Sequence, residues 1–379
     1  MFDANGHCWR VGDRKFSSKA MAVEYACRTG EQVHFEFFND FYHSLDWSTE
    51  PAQSLHELYR ARAEQLLSSY DRVILLLSGG SDSTAMVNIF LQNGLRPHQV
   101  VSHTVINSSI NKNAVTNVEI TRSASKTAKL CMELGVPYRV INLWDNIKNV
   151  EYDYHWFDTA DSRMSIDNLI KFEGVNNDRE IRKMVDSGKK VCLVSGFEKP
   201  RVFIHEGYFQ AGHLDIPLTQ NFYSKNKGLH KERFYTTKDM PTIEIKQCHT
   251  IIKHYEKHVP DYEKLLVHTA DFNVDQYYAT INDVLYEGLW KDRDYFTLGK
   301  LASSKKYTHL EEVMPDHKIV KSYKGLVRDF YKSINSEKYI NDFLLHPSGR
   351  ISNSAYADMK GFYSNFYKIK KLNANESAK

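Results

Sequence analysis

The sequence predicts an α/β fold, a parallel sheet with helices on both faces, joined to a mainly helical C-terminal region. Three observations predict it. Four short apolar runs, at 72–77, 99–105, 138–143 and 191–194, alternate with stretches of helical periodicity, and strands alternating with helices build parallel βαβ units. Directly behind the first run stands Ser78-Gly79-Gly80-Ser81-Asp82-Ser83-Thr84, where strand gives way to helix across paired glycines. From about residue 205 strand signals become sparse, while helical spacing recurs at 243–255, 274–285 and 322–330.

Each element has its own local reason. Residues 1–50 predict a small N-terminal extension: a short strand near 8–11, a helix over 17–28 capped by Ser17 or Ser18, and a strand over 33–38. Residues 51–204 form the main unit. It opens with an amphipathic helix over 54–70, in which Ser54 and Glu57 stand in capping-box relation. The helix behind the glycine pair runs through Ala85, Met86, Val87, Ile89, Phe90 and Leu91 and ends near Asn93-Gly94. Another spans about 115–134, stopped by Gly135 with Pro137 beyond it. Residues 205–372 make the helix-rich region and 373–379 a frayed tail.

Composition bounds the function. A chain of 379 residues, 42% hydrophobic and 26% charged, can bury a full core. A net charge of +3 gives no electrostatic reason to expect general nucleic-acid binding. The five cysteines, at 8, 27, 131, 192 and 248, form no CxxC pair, which points to free thiols in a reducing cytoplasm. Adjacent Cys248 and His249 lack zinc-ligand spacing. No stretch has the length of a membrane span, so no membrane partner is expected.

The chemistry centres on 78–84. Paired glycines open backbone angles closed to other residues. Asp82, Ser83 and Thr84 then start a helix whose free N–H groups suit an anion. No Gly-Lys-Ser/Thr closes the motif, so it is not the common P-loop, and the three spaced glycines of a dinucleotide fingerprint are missing. Ligands of an open parallel sheet bind beyond the carboxyl ends of its strands. That rule adds His103 to Asn107, Asn142 to Asp145, and Ser195-Gly196-Phe197-Glu198-Lys199-Pro200 to the loop. In the last segment Gly196 permits a turn, Pro200 stiffens its exit, and Glu198 and Lys199 point into the crevice. Arg201, Lys238 and Asp239 are weaker candidates, and Lys112, Arg122 and Lys126 fit a solvated helix face.

Ser78-Gly79-Gly80-Ser81-Asp82-Ser83 resembles the S-G-G-x-D-S pyrophosphate loop of the N-type ATP pyrophosphatases (PP-loop, adenine nucleotide alpha hydrolase-like). The resemblance covers the loop fully and 72–200 in outline. It implies a Rossmann-like core that binds ATP and Mg²⁺. Ser78, Gly79, Gly80, Ser81, Asp82, Ser83 and Thr84 would hold the β- and γ-phosphates, with Val105 and Ile106 against adenine. Asp82 and Glu198 would hold the metal, and Asp82 and Lys199 would serve catalysis, Lys199 neutralising the departing pyrophosphate. The implied reaction is adenylation of a carboxylate or carbonyl oxygen, followed by attack of ammonia or an amine supplied from solution or a partner protein.

The helix-rich C-terminal part and helix 54–70 are most similar to the synthetase domain of asparagine synthetase. Position 2 is Phe2 rather than the cysteine of a glutaminase, and about fifty residues do not hold that domain. An ATP-dependent C–N ligase without a glutaminase is therefore the first expectation. Two others stand beside it. One is an enzyme acting on a nucleobase in tRNA or DNA, gripping it through Lys360, Phe362, Tyr363, Phe366, Tyr367, Lys368, Lys370 and Lys371; the same pattern also fits an amphipathic helix with a basic outer face. The other is a nucleotide-binding protein without turnover.

Overall fold

The computed structural model describes residues 6–104, 106, 124–144, 174–175, 177–196, 199–215, 228–266, 274–290, 321 and 364–372. The chain begins with an antiparallel sheet of β1 (His7–Val11), β2 (Arg14–Phe16) and β3 (Val33–Phe37), in the order β2-β1-β3. Helix α1 (Lys19–Thr29) lies between β2 and β3, with Ser18 accepting from the Met21 N–H as its cap. A short α2 (Asn39–His43) then leads to α3 (Leu55–Ser69).

The capping box expected of α3 is formed. Ser54 Oγ accepts from the Glu57 N–H at 3.2 Å, and Glu57 accepts from the Ser54 N–H at 2.7 Å. Ser54→Ala is expected to cost about 1 kcal/mol, read as a lower urea midpoint with an unchanged slope.

Five parallel strands form the central sheet: β4 (Arg72–Leu76), β5 (Gln99–Thr104), β6 (Tyr138–Asn142), β7 (Val191–Ser195) and β10 (Leu229–Arg233), in the order β10-β7-β4-β5-β6. Helix α4 (Ser81–Gln92) follows β4, α5 (Ala124–Glu133) follows β5, and α6 (Arg179–Asp186) precedes β7. The first, second and third strands thus run outward on one side, and the fourth and fifth on the other. The strand order reverses between β4 and β7, and a crevice opens at such a switch point.

The four predicted strands and the helices over 54–70 and 81–92 are present, the helix expected over 115–134 is seen from Ala124 to Glu133 with 115–123 outside the described residues, and the sheet is the Rossmann-like α/β arrangement expected. From Arg201 onward the chain contributes more strands than its sequence suggested. β10 is the fifth strand of the central sheet and lies beyond position 204. β8 (Arg201–His205), β9 (Tyr208–Gly212) and β11 (Tyr367–Lys371) form a second antiparallel sheet, in the order β11-β9-β8. Tyr367 to Lys371 is therefore an edge strand rather than the basic helix weighed for it. Its pattern buries Tyr367 and Ile369 and exposes the lysines. Helices α7 (Thr242–His258), α8 (Tyr262–Leu266) and α9 (Val274–Leu285) supply the expected helical part. The helix expected over 322–330, and positions 360–363, lie outside the described residues.

One contiguous apolar core runs from Trp9 and Phe37 through Ile74, Leu75 and Val194 to Ile252, Tyr286 and Ile369. Each large side chain fully buried in it contributes about 1.5–3 kcal/mol. Polar links bind the N-terminal sheet to the rest. Lys19 and Asp215, both 0% exposed, pair at 2.9 Å, and Trp9 Nε1 donates to the same carboxylate at 3.1 Å. Tyr42 donates to Glu244 of α7 at 2.7 Å, and Glu244 also meets His213 Nε2 at 2.7 Å.

Burial, with the Arg233 guanidinium nearby, pushes the His7 imidazole down to about 3. A histidine held neutral in the fold binds its proton more readily in the unfolded chain. Stability is therefore complete above the ordinary histidine value of 6.5 and falls as pH drops from there towards 3. Urea titrations between pH 7 and 4 are expected to show this loss, and His7→Phe is expected to flatten it.

Candidate functional site

The loop behind β4 is closed by its own serines. Gly79 takes a φ of +89°, a left-handed turn that glycine adopts without a Cβ clash. Ser83 Oγ accepts from the Ser78 N–H at 3.1 Å, stands 3.0 Å from Ser78 Oγ, and lies 3.2 Å from the Gly80 carbonyl to which it donates. No side chain caps α4, whose N-cap is Gly80. The amides of its first turn therefore remain at the helix end, where backbone donors and the helix dipole favour an anion. Ser81, Ser83 and Thr84 are buried, and the Thr84 Oγ1 atom has no partner among the described residues.

The segment behind β7 comes to the same place. Lys199 Nζ pairs with Asp82 Oδ1; the lysine side chain is 4% exposed and the aspartate 26%. Ser81 Oγ also donates to that oxygen, at 3.3 Å. Asp82 and Lys199, 117 positions apart, thus meet at the switch point between β4 and β7. Gly196 has a stronger reason than a turn. A Cβ there would stand 2.8 Å from the Asp82 carbonyl oxygen and 2.8 Å from the Ser83 Cα, so only glycine lets the two loops touch backbone to backbone.

On the other side of the loop, Ile106 is held through its main chain. Its N–H donates to Asn142 Oδ1 at 3.0 Å and its carbonyl accepts from Asn142 Nδ2 at 3.0 Å. The ends of β5 and β6 are pinned together by this amide, whose role the sequence did not single out. His103, half-buried, faces Ile141 in the ladder of those strands. Val105 and Glu198 lie outside the described residues. Among the weaker candidates, Arg201 is buried at the start of β8, and Lys238 Nζ stands 5.2 Å from the centroid of the Phe38 ring.

Tyrosines from the region past 205 complete the site, and sequence reasoning missed them. Tyr235, just beyond β10, donates to the Asp82 carbonyl at 3.1 Å. Tyr277 of α9 donates to the Pro200 carbonyl and accepts from the Val202 N–H, both at 2.9 Å, fixing the backbone that carries Lys199. Tyr286 closes the far side. Burial raises the Tyr235 and Tyr286 hydroxyls well above the ordinary phenol, with Tyr59 adding to it at Tyr235 and the Asp82 carboxylate at Tyr286, so both stay protonated at neutral pH. A tyrosine-rich composition was the one available signal, and it does not say which ring reaches the loop.

Asp82 fits a Mg²⁺ that takes most of its ligands from phosphates and water, the usual habit of that ion. Among the described residues no group of three His, Cys, Asp or Glu side chains could hold a metal by itself. Cys8, Cys131, Cys192 and Cys248 are each buried and unbridged, Cys27 is half-buried, and no three come together. No helix among the described residues is long and apolar enough to cross a membrane.

No protein-family model matches the chain, and no curated protein matches it. Among solved structures it is similar to the U34-tRNA thiolase NcsA from Methanococcus maripaludis with its 4Fe-4S cluster. The identity is 12%, over 74% of this chain and 79% of that one, with a TM-score of 0.27.

Proposed function

We propose that this chain is an ATP-using enzyme of the PP-loop kind that adenylates an oxygen of its substrate and releases pyrophosphate. The observation that carries the reading is the meeting of Lys199 and Asp82 beside an uncapped helix N-terminus at the switch point of a parallel sheet. The first-turn amides of α4 bind the β- and γ-phosphates. Lys199 exchanges its carboxylate partner for phosphate oxygen and offsets the charge that develops on the leaving group. Asp82, freed of the ammonium, would hold Mg²⁺, which would supply neutralisation of the phosphate charge.

The substrate oxygen attacks the α-phosphorus, the bond to the β-phosphate breaks, and pyrophosphate leaves. Ammonia or an amine then attacks the activated carbon and AMP departs. Alignment and charge neutralisation supply most of such a rate, so no general base is demanded of this chain. A carboxylate, as in an asparagine-synthetase-like ligase, and a nucleobase carbonyl both present a suitable oxygen.

The test is AMP and pyrophosphate release from labelled ATP with Mg²⁺ and ammonium. It is run over a panel of carboxylates, nucleosides and bulk transfer RNA. AMP that depends on one substrate and on Asp82 is expected. A chain that binds neither ATP nor pyrophosphate at millimolar concentration would sink the reading.

A further inference from the structure

The turn behind α9 reaches the phosphate loop from the opposite end of the chain. Tyr286, fully buried, places its ring centroid 5.4 Å from Lys199 Nζ, within range of a cation–π contact. The ring packs on Tyr235 with centroids 5.4 Å apart, and Tyr235 in turn holds the Asp82 carbonyl. The turn is fastened to α4 as well: Asn88 Nδ2 donates to the Leu289 carbonyl at 2.7 Å and Gln92 Nε2 to the Gly288 carbonyl at 2.9 Å. The ring therefore keeps a fixed place relative to the loop.

Two of the neighbours of Lys199 differ in character. The Asp82 carboxylate competes with phosphate for the ammonium and is itself wanted by a metal. The face of a neutral phenol competes with neither. A lysine carries its charge on a flexible four-carbon stem, so a contact that survives release of the carboxylate helps to keep its orientation.

We infer that Tyr286 is a positioning residue of this site, its ring face keeping the Lys199 ammonium at the phosphate loop when ligand draws the Lys199–Asp82 pair apart. The inference rests on the ATP reading above. It concerns the ring rather than the hydroxyl, which lies beside the Asp82 carboxylate, so Tyr286→Phe reads the hydroxyl and the ringless variants read the ring.

The test uses the full chain and two probes, inorganic pyrophosphate and ATP with Mg²⁺, with affinities from calorimetry. Tyr286→Phe, which keeps the ring, is expected within about twofold of the parent. Tyr286→Met and Tyr286→Leu, which fill the space without a π face, are expected to bind about tenfold more weakly. In a Lys199→Ala background the same two substitutions are expected to change affinity by less than about twofold, because the ring has no ammonium to hold. Thermal melts identify the folded variants; where neither ringless variant folds, a fluorinated phenylalanine at position 286, which keeps the ring and drains its π face, is expected to bind more weakly than Tyr286→Phe, and equal affinity would overturn the inference. Ringless variants that bind like the parent, equal losses in both backgrounds, or a loss for Tyr286→Phe as large as for the others would overturn the inference. A parent chain that binds neither probe fails the ATP reading itself, a separate result.

Discussion

Lys199→Met is expected to leave a folded protein that binds pyrophosphate and ATP about 10–30-fold more weakly and has lost about 100-fold or more of any AMP-forming turnover. Asp82→Ala is expected to do the reverse to stability. The two halves of the pair are not equally buried: the lysine side chain is 4% exposed and the aspartate 26%. Removing the aspartate leaves an ammonium buried without its carboxylate, which costs about 3 kcal/mol, at the low end for a buried pair because one partner reaches water. Removing the lysine leaves a carboxylate that solvent still reaches, and methionine fills the space of the stem, so the cost stays below about 1 kcal/mol. Urea unfolding of the two variants beside the parent checks the asymmetry. Equal losses of stability would mean that the pair is a surface contact and that Lys199 is not seated in the crevice.

Gly196→Ala is the second large effect. The added methyl would meet the Asp82 carbonyl oxygen and the Ser83 Cα at 2.8 Å, and the Asp82 carbonyl carbon at 2.9 Å. These are backbone atoms of the first turn of α4, which cannot swing aside as a side chain can. The strand end or the helix end must move, at a cost of about 1–3 kcal/mol. Either movement separates Lys199 from Asp82 and misdirects the first-turn amides. Pyrophosphate affinity is therefore expected to fall about tenfold or more. Calorimetric titration beside a denaturation curve tests both halves, and a stable variant with parental affinity would remove the close approach from the account of the site.

The parts legible in the sequence were those written in consecutive residues. The buried strands β4, β5 and β7 are apolar runs bounded by turn residues, and α3 carries its capping box within four positions. Two of the strands that went unread, β10 and β11, have physical reasons for their disguise. β10, Leu229-His230-Lys231-Glu232-Arg233, is an edge strand of the central sheet. Its one carboxylate is met from α3 and the turn behind it: Glu232 takes Arg62 at 3.0 Å and Tyr70 at 2.6 Å, and Arg62 also donates to the Arg233 carbonyl at 2.8 Å. No apolar run is needed where ion pairs cover one side. β11 does alternate, but Tyr-Lys-Ile-Lys-Lys is short enough to fit a helix face equally well.

By itself the sequence determined the order of strand, glycine loop and helix, and with it the place and donor type of the anion cradle, because hydrogen-bond donors at a helix start are a local property. It also marked Asp82 and Lys199 as the charges to watch. Only the tertiary structure decided that these two touch, that Gly196 is the residue that lets them, and that tyrosines at 235, 277 and 286 close the site. Those contacts join positions scores of residues apart. They exist because five strands from separate parts of the chain share one sheet and one core, and the reversal of strand order brings the carboxyl ends of β4 and β7 side by side.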